Sequence, residues 1–281
     1  MRVDAHHHVW RLTRGDYGWL KPTAALLPIY RDFGLRELRP LLRSANVGAT
    51  VLVQAAPTLA ETHFLLEVAR NSAGLVRGVV GWADLAGVDA IASLNALAAD
   101  PLLKGVRPML QDLPDASWIA RPEVQPALAS LAALGLRLDA LVTPRELKPL
   151  LAALERHPDL AVVIDHCAKP DIANGAWQPW ADDLAAIARD SGACCKLSGL
   201  VTEAGRGWSV DALRRYVAHV LDCFGSGRVI WGSDWPVLTL AASYVEWVEA
   251  GDELLGGLTQ GERDAIYGGN ARRFYGLDQK M

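Results

Sequence analysis

The sequence predicts a (β/α)8 barrel, one domain spanning residues 1–281, and three observations predict it. Short apolar or β-branched runs alternate with helix-length amphipathic segments from one end of the chain to the other, as in a parallel sheet with right-handed crossovers. Eight such units fit within the 281 residues, the usual size of this barrel. The first strand ends in His6-His7-His8, whereas an open doubly wound sheet ordinarily carries a glycine-rich phosphate turn there.

In order, the strand runs are residues 2–6, 49–54, 76–82, 105–108, 137–141, 161–166, 194–197 and 228–232. Helical patterns occupy residues 35–46, 60–71, 88–98, 121–134, 144–157, 178–191 and 210–224, with a final pair near 241–250 and 260–267. Ser209 before Val210, and Thr143 followed by Pro144 and Glu146, are helix-starting signals. The segment from residue 12 to 34, with Gly15, Gly18, Pro22 and Pro28, has no periodicity. It is expected to form a loop over one barrel end, where binding loops gather.

Composition narrows the function classes. With 51% hydrophobic residues the chain can bury enough surface to fold, which excludes disorder. A net charge of −4 offers no basic face for nucleic acid. The richest apolar stretch, residues 127–142, contains Arg137 and Asp139 and is too short to cross a bilayer. No secretory h-region follows Met1. The four cysteines form no CxxC pattern, so they are expected to be reduced, buried thiols of a cytoplasmic protein, with Cys195 and Cys223 the two weighed as nucleophiles. The chain holds 10 Trp against 6 Tyr and 4 Phe, a surplus that calls for a structural reason.

Barrel enzymes do their chemistry at the C-terminal ends of the strands, so those ends carry the functional signal. Strand alternation sends His6 and His8 to one face and His7 to the other. Two imidazoles so placed can share one divalent ion. Strand 6 ends at His166 and strand 8 runs into Asp234, adding an imidazole and a carboxylate at the same rim. Each alone has a bland alternative: a satisfied polar strand end, or a capping aspartate. Three such ends together argue for a site. His63, His157 and His219 fall on helices and are expected to be structural.

The stretch Asp4-Ala5-His6-His7-His8 resembles the HxH signature of the amidohydrolase superfamily, with the strand 6 His and strand 8 Asp in their places. The runs 163–170 (Val-Ile-Asp-His-Cys-Ala-Lys-Pro) and 231–237 (Trp-Gly-Ser-Asp-Trp-Pro-Val) resemble its sugar-lactonase branch, of the L-fuconolactonase and L-rhamnonolactonase type. Lys104-Gly105-Val106-Arg107 and Trp118 fit as well, so the resemblance covers nearly the whole chain. Many superfamily members place a bridging Lys or Glu at strand 4 and a His at strand 5. Here Arg107 and Asp139 stand there, which argues against a two-metal centre and for an oxygen-rich substrate group. The resemblance implies one divalent ion, Zn²⁺ first, held by His6, His8, His166 and Asp234, or metal-free action in which the imidazoles donate to the carbonyl oxygen.

The expected reaction is hydrolysis of a sugar-acid lactone, with Asp234 as general base and His166 as a further ligand or oxyanion donor. Gln54, Trp82, Arg107, Trp118, Lys169, Lys196 and Trp208 are the candidate substrate-binding residues, since amides, cations and indoles suit a polyhydroxylated ring. The bland alternatives are packing for Trp82 and Trp231, and an interior charge pair between Lys196 and Asp139. About half the indoles (Trp10, Trp82, Trp118, Trp208, Trp235) are expected at the active-site rim, with Trp177, Trp180 and Trp247 packing helices. The competing functions are a metal-dependent decarboxylase, a metal-free lactonase of a pyrone dicarboxylate, and an inactive binding barrel. Nothing in the pattern specifies an oligomeric state.

Overall fold

The computed structural model describes residues 1–278. Eight parallel strands run in the order β1 to β8. They are β1 (Arg2–His7), β2 (Val47–Val53), β3 (Val76–Gly81), β4 (Leu103–Val106), β5 (Arg137–Ala140), β6 (Val162–Ile164), β7 (Cys194–Leu197) and β8 (Val229–Trp231). Backbone hydrogen bonds from Asp234 N to His6 O and from His8 N to Trp235 O, both 2.7 Å, join the two edges. The barrel therefore closes at the end where the candidate histidines lie. The strand runs expected from sequence are all present. Strand 6 stops at Ile164 rather than His166, because the chain turns left-handed there.

The helices are α1 (Leu35–Ser44), α2 (Leu59–Arg70), α3 (Ala90–Ala98), α4 (Gln125–Ala133), α5 (Leu147–Arg156), α6 (Trp180–Asp190), α7 (Leu200–Ala204), α8 (Val210–Phe224), α9 (Tyr244–Leu254), α10 (Gln260–Asp264) and α11 (Asn270–Tyr275). α8 shows why they surround the sheet. Leu213, Tyr216, Val217, Val220 and Phe224 recur at helical spacing and are buried. Ser209 accepts the Ala212 amide at 3.2 Å, and Glu146 accepts the Thr143 amide at 2.8 Å, so both starting signals act as caps.

Two cores result. The outer one lies between strands and helices. The inner one fills the barrel with Val3, Ala5, Ala49, Val51, Val53, Val80, Val163 and Ile230, and α11 and the residues after it add Ala271, Tyr275 and Leu277. The C-terminal helix thus plugs the lower end, leaving the upper end for chemistry. No helix among the described residues is long and apolar enough to cross a membrane.

Candidate active site

The site begins with an irregularity in β1. Val3 and Ala5 point into the barrel, and strict alternation would then turn His6 outward. A register shift between Asp4 and His7 absorbs one residue, and His6 also faces the axis. His7 points the other way and meets Thr50 Oγ1 at 2.9 Å. The expected split of His6 and His8 from His7 holds, by way of a bulge that alternation alone does not foresee. Asp4, buried behind the strand, accepts from the Ser233 amide (2.8 Å), the Ser233 hydroxyl (2.6 Å) and the Tyr244 hydroxyl (3.0 Å), fixing β1 against the segment that carries Asp234.

His166 is placed by a different device. His166, Cys167, Ala168 and Lys169 have φ of 52°, 52°, 58° and 49°, and Asp234 has 60°. Side-chain-bearing residues rarely occupy this left-handed region, so strain is held where the chemistry is. Two glycines supply space. A Cβ on Gly199 would lie 2.7 Å from His166 Nδ1, and one on Gly232 2.7 Å from His6 Cβ.

The side chains converge. His6 lies 4.9 Å from His8 and 4.5 Å from His166 between ring centres. Asp234 Oδ1 is 3.2 Å from His8 Nε2, 3.8 Å from His6 Nε2 and 3.9 Å from His166 Nε2. The opposite ring nitrogens are held: His8 Nδ1 donates to the Val53 carbonyl at 2.8 Å, and His166 Nδ1 meets Ser198 Oγ at 2.9 Å. This leaves both Nε2 atoms turned toward Asp234, the orientation that metal-binding histidines are given by their outer partners. The groups His6–His8–Asp234 and His6–Asp165–His166 each bring three ligand-type atoms within 4.8 Å of one another. His6 is more constrained than the others. Lys196 Nζ lies 3.1 Å from its Nδ1 and Arg107 Nη1 3.3 Å from its Nε2. The donor set fits one divalent ion at His6, His8 and Asp234, with His166 3.9 Å from the same carboxylate oxygen and the Arg107 guanidinium beside His6.

Electrostatics agree with that picture. Burial pushes Asp234 up, but the three imidazoles outweigh it, His166 most, and hold the carboxyl well below the usual range. Burial brings His166 down to about 4, and burial followed by the Lys196 charge holds His6 well below its ordinary value.

Below the imidazoles lies a sealed layer of charge. Lys196 pairs with Asp139 and, at 3.0 Å, with Asp165. Asp139 also accepts from the Tyr275 hydroxyl at 2.7 Å, and Asp165 faces Arg107 at 3.4 Å. Lys196 and Gln54 are fully buried, and Gln54 donates to the Arg107 carbonyl at 2.7 Å. Both support the floor instead of opening onto the cavity, and the Lys196–Asp139 pairing is the one weighed from sequence.

Above the imidazoles is a cavity of about 140 Å³ lined by His8, Trp19, Arg107, Gln111, His166, Lys169 and Asp234, among others. It is smaller than the ~300–1,000 Å³ of sites for drug-sized ligands. Trp82, Trp118 and Trp208 are half-buried and lie outside this lining. Trp208 Nε1 instead donates to the Ala241 carbonyl at 3.1 Å. Trp10 and Trp231 are fully buried and Trp235 nearly so. The expectation that half the indoles line one pocket is therefore corrected: most pack the structure, and Trp19 is the indole at the cavity. Trp19 sits in the aperiodic segment 12–34, which was the available signal for it. Met109, Gln111 and Asp112, which follow β4, also line the cavity and carried no motif. No cysteine lines it, and burial pushes the Cys195 thiol well above its ordinary value. A larger open groove of about 630 Å³ at the start of β1 holds Arg2 and Asp252, which pair with each other at 2.6 Å.

Comparison with known proteins places this arrangement. The amidohydrolase family matches residues 3–277. The L-fucono-1,5-lactonase of Burkholderia ambifaria is 45% identical, over 99% of this chain and 96% of that protein. The L-fucono-1,5-lactonase of Burkholderia multivorans is 36% identical, over 99% and 97%. An amidohydrolase crystal structure from Burkholderia multivorans with bound zinc superposes with a TM-score of 0.92 at 36% identity, covering 99% of each chain.

Proposed function

The chain belongs to the amidohydrolase family, and from that premise we propose that it is a hydrolase opening the lactone of a six-carbon sugar acid, L-fucono-1,5-lactone first. That it is a lactone-hydrolysing enzyme rests on the two L-fucono-1,5-lactonases it resembles over nearly its whole length. The observation that carries the reading to residues is the convergence of His8, His166 and Asp234 beneath a small cavity rimmed by Arg107 and Lys169.

Asp234 enters the reaction ionised and acts as the general base, taking a proton from the attacking water and returning it to the departing ring oxygen. His8, with its Nδ1–H on the Val53 carbonyl, presents an Nε2 lone pair suited to an ion. His166, whose Nδ1 can accept from the Ser198 hydroxyl, can without an ion present Nε2–H where the carbonyl oxygen becomes an oxyanion. A divalent ion held by His6, His8, His166 and Asp234, Zn²⁺ by the preference of imidazole ligands, would supply Lewis-acid polarisation of that carbonyl. Arg107, engaged with Asp165 and the Gln54 carbonyl, is held in place as a hydrogen-bond donor at the cavity. Lys169, Gln111 and Asp112 offer donors and acceptors to ring hydroxyls, and Trp19 offers an apolar face.

The charge balance also bears on the substrate. Arg107 already faces Asp165, and Lys169 lies 3.7 Å from Glu203. Little uncompensated positive charge remains for a dicarboxylate, which favours a neutral sugar lactone. The test is a panel of sugar-acid lactones assayed by acid release with a pH indicator, before and after chelation. Acid release without CO₂ from one or more hexonolactones is expected. A protein that released CO₂ from aromatic acids and left every lactone intact would overturn the reading.

A further inference from the structure

The geometry points to Glu61 as a positioning residue for substrate: its buried carboxylate fastens the segment that carries Trp19 over the cavity. The inference rests on the lactonase reading for the identity of the substrate, and on the contacts alone for the anchor.

The segment between β1 and α1 is long and contains only two short 3-10 turns, Leu12–Arg14 and Leu27–Ile29. Its ends are pinned to each other, since Trp10 and Phe33 exchange two backbone hydrogen bonds of 3.1 Å. What holds its middle against the barrel mouth is a set of side-chain bonds. Trp19 Nε1 donates to the Ala55 carbonyl at 2.7 Å. The Ala55 amide in turn donates to Glu61 Oε1 at 3.2 Å. Glu61 Oε2 accepts from the Tyr17 hydroxyl at 2.9 Å. One carboxylate thus holds both Ala55, the residue to which Trp19 bonds, and Tyr17, two places before Trp19.

The surroundings are built for this. Glu61 is fully buried in the first turn of α2, where Thr58 Oγ1 accepts its amide at 3.0 Å. Arg14 approaches Glu61 Oε2 at 3.4 Å and binds Asp16 at 2.6 Å, and Asp16 accepts from Thr58 Oγ1 at 2.9 Å. A buried carboxylate is costly unless its bonds are made, and here the bonds reach into the loop instead of into the helix. The loop is also coupled to the reacting groups. Trp19 meets Trp10 edge-on at 5.7 Å, and Trp10 stacks on His8 at 6.5 Å.

The test uses Tyr17→Phe, which removes one donor, and Glu61→Gln, which keeps the shape and removes the charge. In hydrolysis of L-fucono-1,5-lactone each should raise KM about ten-fold, the scale of one charge-assisted hydrogen bond. The kcat should change by no more than about two-fold, because no reacting group is touched. Trp19→Ala should raise KM at least as much, and adding Tyr17→Phe to it should add nothing, since the two act through one element. Additive effects, or an unchanged KM in Tyr17→Phe, would overturn the positioning role. Amide exchange tests the anchor separately: residues 12–34 should exchange faster in Glu61→Gln while α8 is unchanged. Unchanged exchange beside intact lactonase activity overturns the anchor alone. A wild-type protein that opens no sugar lactone overturns the functional reading, and with it the choice of substrate here.

Discussion

Two ionisable clusters sit one above the other on the barrel axis, and they are built on opposite rules. In the lower one, Lys196, Asp139, Asp165 and Tyr275 are fully buried and face one another, cation against anion. In the upper one, Asp234 has three imidazoles around it and no Lys or Arg salt bridge among the described residues, and it lines an open cavity. With Arg107 as the second cation facing Asp165, the lower cluster pairs two cations with two carboxylates and supports the floor. The upper cluster keeps unspent donor and acceptor capacity, and that is where a ligand can bind and a proton can move. Residue type alone does not separate the two, since each contains strand-end acids on the same axis. Access to the cavity and the charge of the neighbours do.

The largest effect that sharpens this contrast is on rate. Asp234→Asn keeps the shape and removes the proton acceptor, and it should cost about 10²–10⁴ in kcat with an unchanged circular dichroism spectrum. The mirror experiment belongs to the lower layer. Lys196→Met leaves Asp139 and Asp165 buried without their shared cation, and urea unfolding should show a loss of about 3–5 kcal/mol. Adding Asp139→Asn should recover part of that loss, and no recovery would mean that the pairing is not what Lys196 contributes.

A smaller effect concerns orientation. Ser198→Ala frees His166 Nδ1, and zinc affinity measured by competition with a chelator should fall about 10–100-fold while the thermal midpoint of the metal-free protein barely moves. The smallest is a pH effect. Burial holds His7 neutral, bringing it down to about 3. Its folded value lies below the unfolded one, so between those values the unfolded chain binds more protons. Stability therefore falls as pH drops below about 6.5. For the metal-free protein, His7→Gln should flatten the stability profile between pH 6.5 and 5, and an identical slope in the variant would show that His7 does not set it.

Much of this was legible in the chain, for identifiable reasons. The eight strand units could be located because apolar runs and caps such as Ser209 and Thr143 act locally. His8, His166 and Asp234 could be brought together because strand ends in a barrel share one rim. The bulge that turns His6 inward could not be read, since a register shift depends on the neighbouring strand. Nor could the left-handed run His166–Lys169, which contains no glycine to announce it. The tryptophans show the limit most plainly. Trp10 and Trp235 do follow strand ends, yet they are buried beneath the rim, while Trp19 reaches the cavity from a loop whose path is set by Glu61, far along the chain.

The central claim is that the Asp234 cluster opens a sugar lactone. It is tested most directly by initial rates of acid release from L-fucono-1,5-lactone, comparing wild type, Asp234→Asn and the uncatalysed background in one pH-indicator assay. The account predicts rapid release by wild type and a rate at least about 100-fold lower for Asp234→Asn. Equal rates for the two proteins would contradict it.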